Sequence, residues 1–239
     1  MPSAKPYYPV FLDLEGRLCV VIGGGPIAEG KITGLLDSGA RVLVVAPDLT
    51  PALAELDRRG RFERRARSYR LGDLKGAFLA IAATNDRAVH LRVAAEAKRR
   101  NVLLNVVDDV PLCQFIAPSI ARRGDLTVAV STGGAAPVLA VRLRQQIEKL
   151  LRPEHARFLE IAAALRQPLA QRYPDFAERR DLWYRLVDSD VLERLGQGDE
   201  EGAWRTIAAL SGVGAPEASD VGFDSAQPTG SWPAEASAR

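Results

Sequence analysis

Gly23, Gly25 and Ala28 stand in the spacing G-x-G-x-x-A within Val20-Val21-Ile22-Gly23-Gly24-Gly25-Pro26-Ile27-Ala28. In that spacing the first glycine permits a tight turn and the second lets a pyrophosphate approach the backbone. A small third residue packs the following helix closely on its strand. Pro26 suits the first helical position, where no N–H is needed, and the amides of that first turn favour an anion. Asp48 follows a second apolar run, a little later than the acid that holds an adenosine ribose about 20 residues past such glycines. It also reads as a turn residue before Thr50. No lysine or arginine follows it closely, which favours NAD over NADP. Thr84-Asn85 ends another apolar run, where open α/β sheets bind ligands, and equally reads as a helix cap. Asp108-Asp109, on its residues alone, is an acidic turn. Ser131-Thr132-Gly133-Gly134-Ala135-Ala136-Pro137 is a second glycine turn before a helix, either structural or suited to an anion such as a substrate carboxylate.

These residues need a frame that brings strand ends together, and the hydrophobic pattern supplies one. Strands are expected at Leu18–Ile22, Arg41–Ala46, Arg61–Ala66, Ala77–Ala83 and Val102–Val107. Helices are expected at Pro26–Ser38, from an N-cap at Thr50 to Arg59, and from after Asp86 to Arg99. Strands alternating with helices predict an α/β domain with a parallel, doubly wound sheet. Near-continuous apolar strands such as Arg41–Ala46 fit burial on both faces. A strand at Leu126–Val130 and a helix from Pro137 to about Leu151 come next, and Pro153 to about Gly212 reads as short amphipathic helices. The expected division is a Rossmann-like domain (1–113), a central α+β region (114–151), a helical region (152–213) and a disordered tail (214–239).

The 239 residues allow one or two domains with a substantial core. No apolar run is long enough to span a bilayer and no apolar leader begins the chain, so a cytoplasmic protein is expected. The net charge is +2, with the tail at −3 and the remainder at +5. That balance suits an anionic small molecule and argues against nucleic acid, for which no basic recognition helix is present. Cys19 and Cys113 are too few and too far apart for a zinc site, and His90 and His155 fall on helices with no obvious partner. No metal site is expected.

Four blocks in order resemble the precorrin-2 dehydrogenase/sirohydrochlorin ferrochelatase family, which also forms the N-terminal part of sirohaem synthases. They are Tyr8–Leu14, Val21–Ala28 followed by Lys31, Asn105-Val106-Val107-Asp108, and Phe115–Ile120 with Ser131–Pro137. The resemblance is strong from Tyr7 to Leu151 and looser to about residue 212. It implies an NAD-dependent oxidation of precorrin-2 to sirohydrochlorin, in some members followed by insertion of ferrous iron or another metal such as cobalt. It also implies a homodimer with a Rossmann domain, a central dimerisation region and a C-terminal helical region. Asp108 matches the family's catalytic aspartate, a proton acceptor. An ordinary aspartate is a weak base, so partial burial, helped by Asp109, is expected to strengthen it. Pro26, Ile27, Pro47 and Asp48 match the family's cofactor contacts. Asn105, Ser131, Thr132, Gly133 and Gly134 are implied substrate contacts, with Thr132 standing where some members carry a phosphorylated serine. Arg122, Arg123, Arg142 and Arg144 are near enough in sequence to pair with substrate carboxylates. The chain has no room for the methyltransferase domain of the fused enzymes. A non-catalytic NAD(H)-sensing regulator is the alternative from another class.

Overall fold

The structure is a computed structural model and describes residues 6–215. The chain forms two compact units, one of residues 6–117 with 133–135 and one of residues 118–132 with 136–215.

The first unit is built on five parallel strands: β1 (Leu18–Ile22), β2 (Arg41–Val45), β3 (Glu63–Arg65), β4 (Leu79–Ala82) and β5 (Leu103–Val106). Their order is β3-β2-β1-β4-β5, so the chain leaves β1 in one direction and returns on its other side to lay down β4. This reversal opens a crevice at the carboxyl ends of β1 and β4, the place where such sheets bind ligands. Helices α1 (Pro26–Asp37), α2 (Pro51–Arg58) and α3 (Arg87–Arg100) make the crossovers.

Strand alternation splits the core into two layers. Cys19 and Val21 of β1 pack with Ala28, Ile32 and Leu35 of α1, while Val20 and Ile22 pack with Val93 and Ala97 of α3. Cys19 is fully buried in the first layer, where desolvation pushes its thiol up to about 11. Helix α2 starts as its residues dictate, for Thr50 Oγ1 accepts the Leu53 amide and Pro51 comes directly after it. Helix α3 is capped by Asp86, whose carboxylate accepts the Ala88 and Val89 amides. Thr84 and Asn85 are therefore left out of the cap, contrary to one reading of that pair.

The second unit begins with a hairpin, β6 (Ser119–Arg123) against β7 (Leu126–Val130), of which only β7 is expected from pattern. Helix α4 (Pro137–Leu150) packs on the hairpin, and Arg123 Nε donates to the Leu151 carbonyl at its end. The helical part consists of α5 (Pro153–Arg172), α6 (Phe176–Val187), α7 (Val191–Gly196) and α8 (Glu200–Ser211). Helix α5 runs 20 residues straight through Pro168, rather than as the short helices expected. Phe158, Ile161, Leu165 and Leu169 line its buried face against Leu182, Leu186 and Ile207. That burial outweighs the cost of about 3 kcal/mol for an interior proline. The tail expected from residue 214 lies, beyond 215, outside the described residues.

Candidate dinucleotide and proton-transfer site

The three glycines after β1 do three different jobs. Gly23 has φ 126°, and a Cβ there would lie 2.1 Å from the Ala83 carbonyl oxygen at the end of β4. A Cβ on Gly24 would lie 2.1 Å from the Asp48 carbonyl oxygen at the end of β2. These two glycines let three strand-end loops touch. Gly25, the N-cap of α1, has nothing within 4 Å of a built Cβ, so the space in front of the helix is open. An open cradle at a helix N-terminus, roofed by no side chain, fits a dinucleotide pyrophosphate. Pro26 and Ile27 stand at its lip, both exposed.

The loop after β2 is fastened to this turn. The Thr50 amide donates to the Gly24 carbonyl (3.0 Å), and the Thr50 hydroxyl donates to Glu29 in the first turn of α1 (2.6 Å). Pro47 and Asp48 are thereby held, exposed, beside the glycines. Although no basic residue follows Asp48 closely in sequence, pairing of β3 with β2 brings one there. Arg64 Nη2 donates to the Pro47 carbonyl (2.7 Å) and Nη1 to Asp57 (3.3 Å), while its buried Nε has no partner among the described residues.

On the other side of the crevice, Thr84 is half-buried and Asn85 exposed. His90, for which the sequence shows no obvious partner, has its Nε2 2.7 Å from the Thr84 carbonyl oxygen, which pins this loop to α3. Strand β5 pairs with β4 at Ala82–Val106, so Thr84 and Asp108 each lie two residues past the paired position. Asp108 has φ 59°, a left-handed conformation that aspartate and asparagine tolerate better than other non-glycine residues. Such a residue at a strand end ends the ladder and is held only by its surroundings. Here Cys113, buried beneath the turn, accepts the Val106 amide and donates to the Val106 carbonyl, behaving as a structural residue. Asp108 itself is exposed, so the chain does not bury it as the base role was expected to need. Asp109 is partly buried and lies 3.9 Å from Arg87 Nε.

Asn105 is buried, and its Nδ2 donates to the Phe115 carbonyl (3.1 Å), so its amide latches the 113–115 loop. Gly133 and Gly134 have φ of 64° and 85°, and a Cβ on Gly134 would lie 3.5 Å from Val110, two residues past Asp108. Ser131 and Thr132 belong to the second unit, where Thr132 Oγ1 accepts the Ala136 amide (3.2 Å). Of the four arginines, Arg123 is spent on Leu151 and Arg144 pairs with Glu148. Among the described residues no group of three or more histidines, cysteines or acids is placed to hold a metal, and no helix is long and apolar enough to cross a membrane.

Sequence reasoning gave no role to Lys31 or Tyr7. Lys31 is half-buried on α1, and the Tyr7 hydroxyl is shielded from water with no partner among the described residues. Lys31 closes the glycine block that carries the resemblance, which gives it a place but no role, and nothing local announces Tyr7.

Comparison with known proteins agrees with this architecture. An NAD(P)-binding family matches residues 10–119, the sirohaem biosynthesis protein central region matches 123–150, and the sirohaem synthase dimerisation region matches 154–210. The chain is 42% identical over 207 residues to a siroheme synthase of Methylobacillus flagellatus, covering 86% of this chain and 44% of that protein. It is 41% identical over 212 residues to one from Azotobacter vinelandii, covering 89% and 46% respectively. The chain thus spans less than half the length of these curated relatives. A solved structure titled SirC, precorrin-2 dehydrogenase, superposes with a TM-score of 0.69 at 26% identity, covering 85% of this chain and all of that one. With a parallel sheet ending in an open glycine cradle, and three consecutive regions matched in order, the chain matches the N-terminal NAD(P)-binding, central and dimerisation regions of the sirohaem synthases.

Proposed function

We propose that this chain oxidises precorrin-2 to sirohydrochlorin with NAD, and that Asp108 is the proton acceptor. The observation that carries this reading is the left-handed Asp108 turn, two residues past the β4–β5 pair and on the same sheet edge as the open Gly25 cradle. Gly23, Gly25, Pro26 and Ile27 hold the pyrophosphate, Pro47 and Asp48 the adenosine ribose, and Thr84 with Asn85 the nicotinamide end. From β2 to β5 is three strand spacings, about 14 Å, a span that separates the ribose loop from Asp108. Arg64 does not speak against NAD, because both its terminal nitrogens are already engaged by Pro47 and Asp57. When bound, NAD supplies a hydride acceptor.

The substrate loses a proton together with its hydride, and the Asp108 carboxylate takes it. The exposed carboxylate becomes a better base when the macrocycle covers it and excludes water. Gly133 and Gly134, beside Val110, offer backbone to the same substrate. Asn105 serves it through the loop it latches.

Insertion of ferrous iron or cobalt is a second activity of the same site in this reading. It removes two pyrrole protons, which the Asp108 carboxylate takes one at a time and releases to solvent between them, and the macrocycle supplies the metal ligands. A homodimer is part of the proposal. Its support is the stripe Leu139, Leu143 and Leu150 on α4, exposed at helical spacing in a single chain.

The deciding experiment is a spectroscopic assay with anaerobic precorrin-2, NAD and the purified protein, with ferrous iron added after the first reaction ends. NAD-dependent formation of sirohydrochlorin is expected. A well-folded protein that binds NAD but converts nothing refutes the dehydrogenase and leaves the NAD(H) sensor. Metal uptake no faster than without protein removes the chelatase alone.

A further inference from the structure

Lys31 sits on α1, five residues past Pro26, and is half-buried. Burial lowers its pKa from the ordinary lysine value, and among the described residues no hydrogen bond or ion pair engages its ammonium. An ammonium drawn partly out of water without gaining an acceptor is disfavoured there. A methionine would fill the same space without that cost. The position therefore holds a cation that has no partner among the described residues.

The helix tells which way this cation faces. Glu29 reaches Thr50 at the head of α2, so the Glu29 flank of α1 lies toward β2. Two residues further is about 200° around the helix, which turns Lys31 to the opposite flank. That flank lies toward β4, the strand on the other side of β1. Helical side chains lean toward the helix N-terminus, so Lys31 stacks behind Ile27, one turn earlier. Ile27 is 47% exposed at the lip of the crevice. The same sheet edge carries Thr84, Asn85 and Asp108.

We propose that Lys31 binds a carboxylate of the macrocyclic polycarboxylate substrate, at the β1–β4 side of the crevice. This rests on the function proposed above. The pyrophosphate has its own donors at the α1 N-terminus, whereas Lys31 begins about 7 Å further along the axis. A tetrapyrrole carrying several carboxylates meets a cation left unmatched among the described residues, and the contact fixes the macrocycle against the loop bearing Asp108.

The test uses the full chain, with Lys31→Met and Lys31→Arg beside the unsubstituted protein. Metal-free sirohydrochlorin is titrated by its absorbance, NAD affinity is measured separately, and melting temperature is recorded. Lys31→Met should weaken sirohydrochlorin binding about tenfold or more, the worth of one charge-assisted hydrogen bond. It should leave NAD affinity unchanged and melting temperature unchanged or higher, while Lys31→Arg keeps most of the affinity. Equal sirohydrochlorin binding by Lys31→Met overturns the assignment, as does a loss confined to NAD. If the unsubstituted protein itself fails to bind sirohydrochlorin, the functional reading falls and the Lys31 assignment falls with it.

Discussion

Replacing Gly24 or Gly25 with alanine adds the same methyl group to adjacent residues, and the structure expects opposite outcomes. At Gly25 the backbone has φ −83° and ψ −177°, which any residue adopts, and the added carbon meets nothing within 4 Å. Losing glycine as N-cap costs up to about 1 kcal/mol, while restricting the unfolded chain returns about 0.4–1 kcal/mol. Melting temperature should therefore move by no more than about 2 °C. The methyl group instead stands where the pyrophosphate would lie, and dinucleotide affinity should fall about tenfold or more. At Gly24 the carbon arrives 2.1 Å from the Asp48 carbonyl oxygen and 2.8 Å from Leu49 Cδ2. Backbone must move to relieve that overlap, at about 1–3 kcal/mol, which lowers the melting temperature by about 3–10 °C. Differential scanning calorimetry and NAD titration of both variants decide the matter. A Gly25→Ala protein that binds NAD as tightly as the parent refutes the placement of the cofactor. A Gly24→Ala protein of unchanged stability refutes the packing of the two loops.

Asp108→Asn is the informative change at the proposed base, because asparagine also tolerates the left-handed backbone whereas alanine adds about 1 kcal/mol of strain. Dehydrogenation should slow about 100-fold or more with NAD affinity retained, and stopped-flow absorbance will show whether it does. Asp73 is buried, which alone would raise its pKa, but hydrogen bonds from Arg67, the Arg70 amide and Arg65 hold it down at about 2. Its contribution, about 2 kcal/mol, is complete above the unfolded value near 3.8 and is lost as pH falls toward 2. Asp73→Asn should flatten that acid limb in urea titrations across this range, and an unchanged slope speaks against the cluster. Glu96 is fully buried and accepts hydrogen bonds from the Tyr69 hydroxyl, the Gly72 amide and Arg100, so Glu96→Gln should cost about 2–3 kcal/mol in chemical denaturation. Thr50→Val removes a helix cap and the tie to Glu29, and should cost about 1 kcal/mol and weaken NAD binding, with Thr50→Ser restoring both.

What could be read from the sequence was whatever a short stretch determines by itself. Strand β1 and its glycine turn are local: a run of β-branched residues ends where glycines begin, and Pro26 suits only the first turn of α1. The Thr50 cap is equally local, a hydroxyl three residues from the amide it accepts. Arg64 was beyond reach, because it comes to the end of β2 through strand pairing, not through sequence proximity to Asp48. The partner of His90 was missed for a related reason: it is a carbonyl, and every residue type carries one. Strand β6 escaped because Ser119–Arg123 has one fully buried residue, and only pairing with β7 makes it a strand. The length of α5 was also missed, because its continuity through Pro168 rests on a buried face that only packing against α6 and α8 supplies.

The site divides along the same line, and this explains why the fingerprint alone understates it. Gly25 is legible because the job proposed for it concerns a ligand, and ligands are what the motif encodes. Gly24 occupies a position the motif leaves free, yet its missing side chain lets the Asp48 loop close on the turn. Asp108 shows the converse. Its side chain suggests a base or an ordinary acidic turn, and the residues alone do not choose between them. The proposed base draws its support from φ 59° just past β5, two residues beyond the Ala82–Val106 pair and level with Thr84 on the neighbouring strand. A strained acidic residue at the carboxyl edge of a ligand-binding sheet is costly as a mere turn, since glycine would serve there without strain. Asp108→Gly should accordingly raise stability by up to about 1 kcal/mol while abolishing turnover. A glycine variant that is less stable than the parent would show that the carboxylate is held there by folding and not by function.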